Sequence, residues 1–462
     1  MRIPVNQSGT TVTFGLGTGG YGGPGGKGDD VDLTMEGNIA TSGLSSPGVK
    51  GVSLGGGGAV GGGVNWLTGG VSIAGNISVG LYVGGEGGTG GVGGDVHFTQ
   101  TRGSIITKMS NSHGVMLSSL GGGGGDGGSV NIVEGLISAV SKGTAANVGL
   151  SAAVGGVGGT GGAGGDVYVN KDQAVDDKGT AQIQTFGTSA HGIFATSIGG
   201  GGGAGGQAGT TTFNADIIQI LTDLGKAAGK VAGSEFTGED LSNLEDASKI
   251  KKDSTTIDVA ARLSYGGKGG EGGEAGDVVV NNIADISTGL MKSLAKTSHG
   301  ILAQSIGGGG GNGGIATTNM FDLAMVLQIP VFLGALKGTV ELSEAREAKD
   351  PNAPAKPVRT TLGLTAAISM GGDGGKGGKG GNVTVNNRNV IRTYASHSVG
   401  IFGQSIGGGG GTAYQNVADN MLTRNLSVNV SLGGRGGSGN TGGIVRVNNE
   451  GSIVTYGGGS DA

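Results

Sequence analysis

Three kinds of residue in this sequence could do chemistry, and each recurs at a fixed place in a longer pattern. The first is a Ser-His pair, Ser112-His113 and Ser298-His299, with Ala190-His191 as a variant. A serine beside a histidine suggests a nucleophile and its base. The pair is worn, however: Pro47 and Val399 stand where the histidine would be. A hydrolase needs one constellation, not a decaying series, so a turn leading into a strand is the expected role. The second is Gly161 to Val169, GGAGGDVYV, which fits the calcium nonapeptide GGxGxDxUx. Poorer copies start at Gly90 and Gly377, with His97 and Thr384 at the apolar position and Asn382 for Asp. Each copy stands alone rather than in tandem, so the acid is expected to end the glycine segment through a side-chain-to-backbone bond. The third is the acidic pair Asp29-Asp30 at a segment edge, which makes no glycosidase dyad. GxGxxG matches are everywhere and carry no information, and no GK[ST] follows them. No catalytic, cofactor-binding or metal residue is therefore assigned, and no cofactor is expected.

The elements that would position these residues are repeats. GGxGGxGGxGG blocks begin at Gly19, Gly84, Gly155, Gly266, Gly371 and Gly433. The residue after each block is taken as Asp29, Asp95, Asp166, Asp277, Asn382 and Ile444. Alternating runs such as Val96-His97-Phe98 and Val383-Thr384-Val385 follow, the pattern of half-buried strands. A second motif, SHGIxxxSIGGGGGxGG, leads to glycine runs at Gly121, Gly199, Gly307 and Gly407, with a worn copy at Ser46 leading to Gly55. The units are 1–63, 64–128, 129–206, 207–314, 315–411 and a partial 412–462. Length variation is expected only after the glycine run, in insertions 129–147, 207–256 and 315–361. Asn214 to Leu224, Glu239 to Lys252 and Met320 to Leu336 read as helical, and Asp350 to Pro357 as a Pro-rich loop. These insertions could cover a sheet edge or carry ligand recognition. A unit of 62–111 residues exceeds one ordinary β-helix rung, so several rungs or a different sheet arrangement are expected to fill each unit.

The blocks have a period of three, that of polyglycine II or polyproline II, which rises about 3.1 Å per residue. Every x then lies on one edge. Nine of the eighteen x residues are charged, among them Lys27, Glu86, Lys268 and Arg435, so that edge is expected in water and the glycine edges inside. The five-glycine runs are expected to lack this phase and to act as turns or close-approach points.

Composition agrees. Gly is 113 of 462 residues, about a quarter against a usual ~7%. Seven prolines exclude collagen. Hydrophobic residues at 35% and charge at 14% argue against disorder. Aromatics at 4% leave small apolar contacts and backbone bonds in series. A net charge of −5 gives no nucleic-acid footprint. The absence of Cys removes disulfides and thiolate chemistry. Met1 to Gln7 has no apolar core of a secretory signal, so the chain is expected to be one section of a longer precursor. No window of 18 apolar residues is present.

The stretch Ser298 to Ile306 with its glycines, and Gly381 to Asn387, resemble repeats of the large glycine-rich autotransporter passengers of Gram-negative bacteria. The resemblance spans nearly the whole chain except the insertions. It implies export through an outer-membrane β-barrel that this sequence lacks, surface display, and a right-handed parallel β-helix acting in adhesion or biofilm. The expected fold is an all-β repeat protein, a β-solenoid or β-helix-like shaft with polyglycine II-like segments and small helical insertions. The expected function is that of an extracellular structural or adhesive protein. A self-assembling filament subunit is the alternative, and a β-helix polysaccharide lyase or hydrolase a third reading. Expected partners are the chain itself or another cell surface, with no nucleic acid.

Overall fold

The computed structural model describes residues 5–7, 10–72, 75–138, 142–171, 181–216, 252–291, 295–322, 360–414, 416–420 and 426–459. Among these residues the fold is all-β, with 29 strands in five sheets and no helix. Each sheet takes one strand from each successive repeat. Sheet I holds Thr10–Thr18, Gly75–Val83, Lys142–Val154, Lys252–Tyr265, Thr360–Met370 and Leu426–Leu432. Sheet II runs from Val31–Met35 through Val96–Gln100, Val167–Val169, Val278–Asn282 and Val383–Asn387 to Val445–Asn449. Sheet III runs from Ile39–Thr41 to Ile453–Thr455, sheet IV from Val49–Leu54 to Ile401–Ile406, and sheet V from Val64–Ser72 to Val417–Asn420. All these pairings are parallel. The one antiparallel strand, Val5–Gln7, covers Thr10 to Val12 at the first edge of sheet I.

The path of one repeat is thus sheet I, GGx block, sheets II, III and IV, glycine run, sheet V, and back to sheet I. One repeat makes one circuit. Of the two expectations, several rungs per unit is the one that fails, and a different sheet arrangement fills the unit: it is long because one circuit crosses five sheets. Register shows this directly, since Val96 pairs with Val167 and Val167 with Val278, 71 and 111 residues apart. Stacking at about 4.8 Å per strand makes six circuits roughly 29 Å tall, whereas ten residues of a GGx block cross the circuit for about 31 Å.

Two cores flank the glycine segments. Sheets II, III and IV enclose the larger one, in which Val96, Phe98, Ile105, Val115 and Leu117 of one circuit are followed by Val167, Val169, Ile183, Ile193 and Ala195 of the next. Period-two alternation puts these side chains inward. Sheets I and V face each other around Trp66, Tyr82, Val130, Ile132, Ala153 and Ala208. There Gly15 and Gly17 make room for the Tyr82 ring, since a Cβ on either would strike it.

Two further expectations are corrected. The insertions begin as strands: Val130–Ser138, Ala208–Asp216 and Ala316–Asp322 all belong to sheet V. Asn214 and Met320, read as helix starts, therefore end strands. The rest of the three helical segments and the Pro-rich loop lie outside the described residues, apart from Lys252 in a sheet I strand. Length also varies elsewhere: the offset falls from 111 at Val169↔Val280 to 103 at Gln182↔Asp285, across the sheet II–III turn. Between sheets III and IV, Ser45, Asn111, Ser189, Thr297 and His397 all take left-handed φ values of 50–56°. Short polar residues tolerate that region best, and Asn111 N–H donates from there to Thr188 of the next circuit.

Candidate functional site

The most distinctive region is the waist of glycine segments between the two cores. Its hydrogen bonds repeat every third residue. In the block from Gly155, the N–H of Gly158 and Gly161 donate to the x carbonyls Lys268 and Glu271 of the next circuit's block. The N–H of Gly159 and Gly162 donate to Gly125 and Gly122 of the preceding glycine run. The carbonyls of Gly159 and Gly162 accept from Gly203 and Gly200 of the run in their own circuit. This interior block therefore has four neighbours, two parallel blocks and two antiparallel runs, with these bonds at 2.7–2.8 Å.

The glycine runs share this phase, against the expectation that they lack it. Gly199, Gly202 and Gly205 donate to Ile306, Gly309 and Asn312 of the next circuit, and Gly200, Gly203 and Gly206 to the adjoining block. The run is therefore a GGx segment too, in which Gly201, Ala204 and Gln207 hold the x places. Five consecutive glycines conceal the period because the first x is itself glycine. Sterics separate the classes. A Cβ on Gly200 or Gly202 would lie 2.0–2.1 Å from a neighbouring carbonyl oxygen, but on Gly201 the nearest atom is 3.8 Å away. The x residues are mostly exposed, and Lys268–Glu271 and Lys379–Glu274 each approach to 3.7 Å along that edge.

The histidines, the serines before them and the acids after the blocks prove to be rungs in ladders between circuits. His113, His191 and His299 stack with ring centroids 4.9 Å apart and planes within 8°. Each Nδ1 accepts the N–H of the residue above: His191, His299 and Val399, at 3.1, 3.0 and 2.9 Å. An accepting Nδ1 carries no proton, which places the ring proton on Nε2. Burial lowers His113 to about 4. Burial, then the flanking imidazoles, lowers His191 to about 3. Burial also lowers His299. The column is neutral at pH 7. The serines beside them face other partners: Ser298 Oγ donates to Gly187 carbonyl at 2.8 Å and accepts from Ala190 N–H at 3.3 Å.

The acid after each block forms a second ladder. Oδ1 of Asp30, Asp95, Asp166 and Asp277 accepts the N–H of Asp95, Asp166, Asp277 and Asn382 at 2.7–2.8 Å. The first member is Asp30, not Asp29 as the block count suggested. In the calcium-like stretch, Asp166 Oδ2 accepts the Tyr168 hydroxyl at 2.7 Å, so both oxygens serve protein donors. Asn282, Asn387 and Asn449 make a third ladder, amide to amide at 2.7 Å.

Two features went unread in the sequence. The serine of SIGGGGG is one: Ser119 Oγ donates to Gly94 carbonyl and accepts from Gly165 N–H, both at 2.8 Å, where the block joins sheet II. Ser53, Ser305 and Ser405 repeat the arrangement. Its invariant place in the motif was the available signal. The other is Arg262 paired with Glu134 at 2.5 Å, both side chains at most 1% exposed. Arg262 Nε also donates to Thr212 Oγ1 at 2.6 Å. Burial pushes the Glu134 carboxyl up and the Arg262 guanidinium down, each partner's charge opposing the shift. Ionic spacing gave no clue here, because the partners are 128 residues apart and meet only across two sheets.

No family model, curated protein or solved structure matches the chain.

Proposed function

We propose that this chain is a structural element of an extracellular, cell-surface shaft: a β-solenoid whose waist is a bundle of polyglycine II-like helices. One observation carries the reading. The histidine, serine and aspartate columns, the side chains that could do chemistry, bond one circuit to the next. Such a molecule spends its polar groups on stacking, as repeat proteins do. The resemblance of its repeats to autotransporter passengers supports display on a Gram-negative surface, with adhesion as the task. Negative-stain microscopy of the purified chain tests the shape. Six circuits give a slab about 29 Å thick, wider than it is tall. Compact globules, or polysaccharide cleavage abolished by one acidic substitution, would refute the structural reading.

A second reading, an end-to-end filament, rests on the terminal glycines. Gly88 and Gly159 sit against the preceding circuit, yet their equivalent Gly23 has nothing within 4 Å, nor do Gly20 and Gly26. Gly433 at the other end is equally open. These glycines suit a further circuit laid on each end. Sheets IV and V have five strands against six in II and III, so a second copy seated there meets a step one strand deep. Rods lengthening with concentration would support stacking, and slabs of one thickness would refute it.

A further inference from the structure

Sheet I is inverted with respect to an ordinary surface sheet. Its inner face, toward sheet V, carries Asn147, Ser151, Arg262, Ser264, Thr365 and Ser369, all buried. Its outer face consists of alternate residues in 12–18, 77–83, 148–154, 259–265, 364–370 and 426–432, which the register aligns row by row. None of these 24 side chains is charged, and Thr18 and the Tyr265 phenol supply the only polar groups. Phe14, Leu16, Leu81, Leu150 and Leu364 are 40–64% exposed. At the centre Ala152, Ala261 and Ala366 floor a depression of about 280 Å³ walled by Leu150, Leu263 and Ile368.

We infer that this face is the interface of a two-fold dimer, with the same face of a second copy as its occupant. Six strands at about 4.8 Å, each seven residues at about 3.3 Å, make a face of roughly 660 Å². That exceeds the ~300–600 Å² of the largest apolar patch on a typical monomer. Two such faces bury about 1,300 Å², within the range of stable interfaces. A twisted sheet packs on its own copy at about 10 Å, as in a β-sandwich. A two-fold interface uses one patch twice, so a uniformly apolar patch complements itself. A lipid surface fits less well. Faces that lie on membranes carry Lys or Arg around their apolar side chains, this one carries neither, and the net charge of −5 opposes anionic lipid. The inference concerns the side of the slab and is independent of stacking at its ends.

Sedimentation velocity of the purified full chain tests it. The expected mass is twice 44.4 kDa at micromolar concentration. The double variant Leu81→Glu, Leu263→Glu should sediment as a monomer, with association at least a hundredfold weaker and an unchanged circular dichroism spectrum. Should that variant not fold, Leu150→Ser in the same assay should weaken association about tenfold. A wild-type chain that stays monomeric at tens of micromolar overturns the inference, as does a folded variant of unchanged mass. A monomer that floats with zwitterionic lipid vesicles overturns it in favour of a membrane.

Discussion

Glycine to alanine is the smallest substitution that separates the classes of glycine in the waist. Gly159 is the decisive position. A Cβ there would lie 1.9 Å from Gly88 oxygen and 2.6 Å from Gly88 carbonyl carbon. Both are backbone atoms of the preceding circuit and cannot swing aside. The circuits would have to part by roughly 1–1.5 Å to restore normal contact. That movement stretches the bonds to the preceding circuit in which Gly159 donates to Gly125 and Thr160 accepts from Gly90, now at 2.7 and 2.8 Å. Overpacking costs about 1–3 kcal/mol, and each disturbed buried backbone bond about another 1. Gly159→Ala should therefore lose about 3–5 kcal/mol. Gly23→Ala makes the same change at the same place in the triplet, with nothing within 4 Å. The backbone at Gly23 is not left-handed, so this variant should be neutral or gain about 0.4–1 kcal/mol through its stiffer unfolded chain. Gly201→Ala, at a concealed x place 3.8 Å from its nearest neighbour, should behave like Gly23→Ala. Thermal melting followed by circular dichroism ranks the three. Equal midpoints for Gly159→Ala and Gly23→Ala would refute the packed-helix reasoning.

The other expectations follow from the ladders. The histidine pKa values lie below the unfolded value of about 6.5, so between the two the unfolded chain binds more protons. The stability of the column is complete above pH 6.5 and falls as pH drops toward about 4 for His113 and about 3 for His191, by at most about 1.4 kcal/mol per pH unit for each. Denaturation midpoints from pH 7 to 4 should show this slope, and the variant with valine at positions 113, 191 and 299, the residue already at Val399, should flatten it. Ser119→Ala strands one half-buried carbonyl and one half-buried N–H and should cost about 1–3 kcal/mol, read as a lower urea midpoint. Arg262→Met leaves Glu134 buried and unpaired and should cost about 3–5 kcal/mol. Adding Glu134→Leu should recover most of that loss in a double-mutant cycle, and additive losses would contradict the pairing.

The strands were legible because period-two alternation is a local property. Val96-His97-Phe98 and Val383-Thr384-Val385 both lie in sheet II as their pattern indicates. The edge of charged x residues was legible for the same reason, since a period of three fixes which side chains share an edge. What could not be read locally is which segments meet. Gly162 bonds to Gly122 and Gly200, about 40 residues away in either direction, and no local period announces that closure. The phase of the glycine runs was missed because a glycine at x carries no mark. The strands opening the insertions were missed for a different reason. Asn214 and the apolar residues after it satisfy a helix pattern, but neighbouring sheet V strands impose pairing as far as Asp216. The roles of His191 and Asp166 became definite only once their stacked equivalents were in place.

The width of the circuit follows from what the waist must do. Two separate cores, each narrow enough to fill with Val, Ile, Leu and Ala, need a connection that is itself packed. A connection with side chains on all its edges would need a third core, and a sequence with 4% aromatics has little with which to fill one. Bare glycine edges solve this by bringing backbone against backbone, with two donors and two acceptors per triplet satisfied by neighbours. The cost is conformational, because glycine loses more freedom on ordering than any other residue. That cost must be offset by bonds on both sides, so an interior block with four neighbours is stabilised where an end block is not. Stability should therefore grow with each added circuit, and the open faces at Gly23 and Gly433 are where a circuit from elsewhere would contribute most.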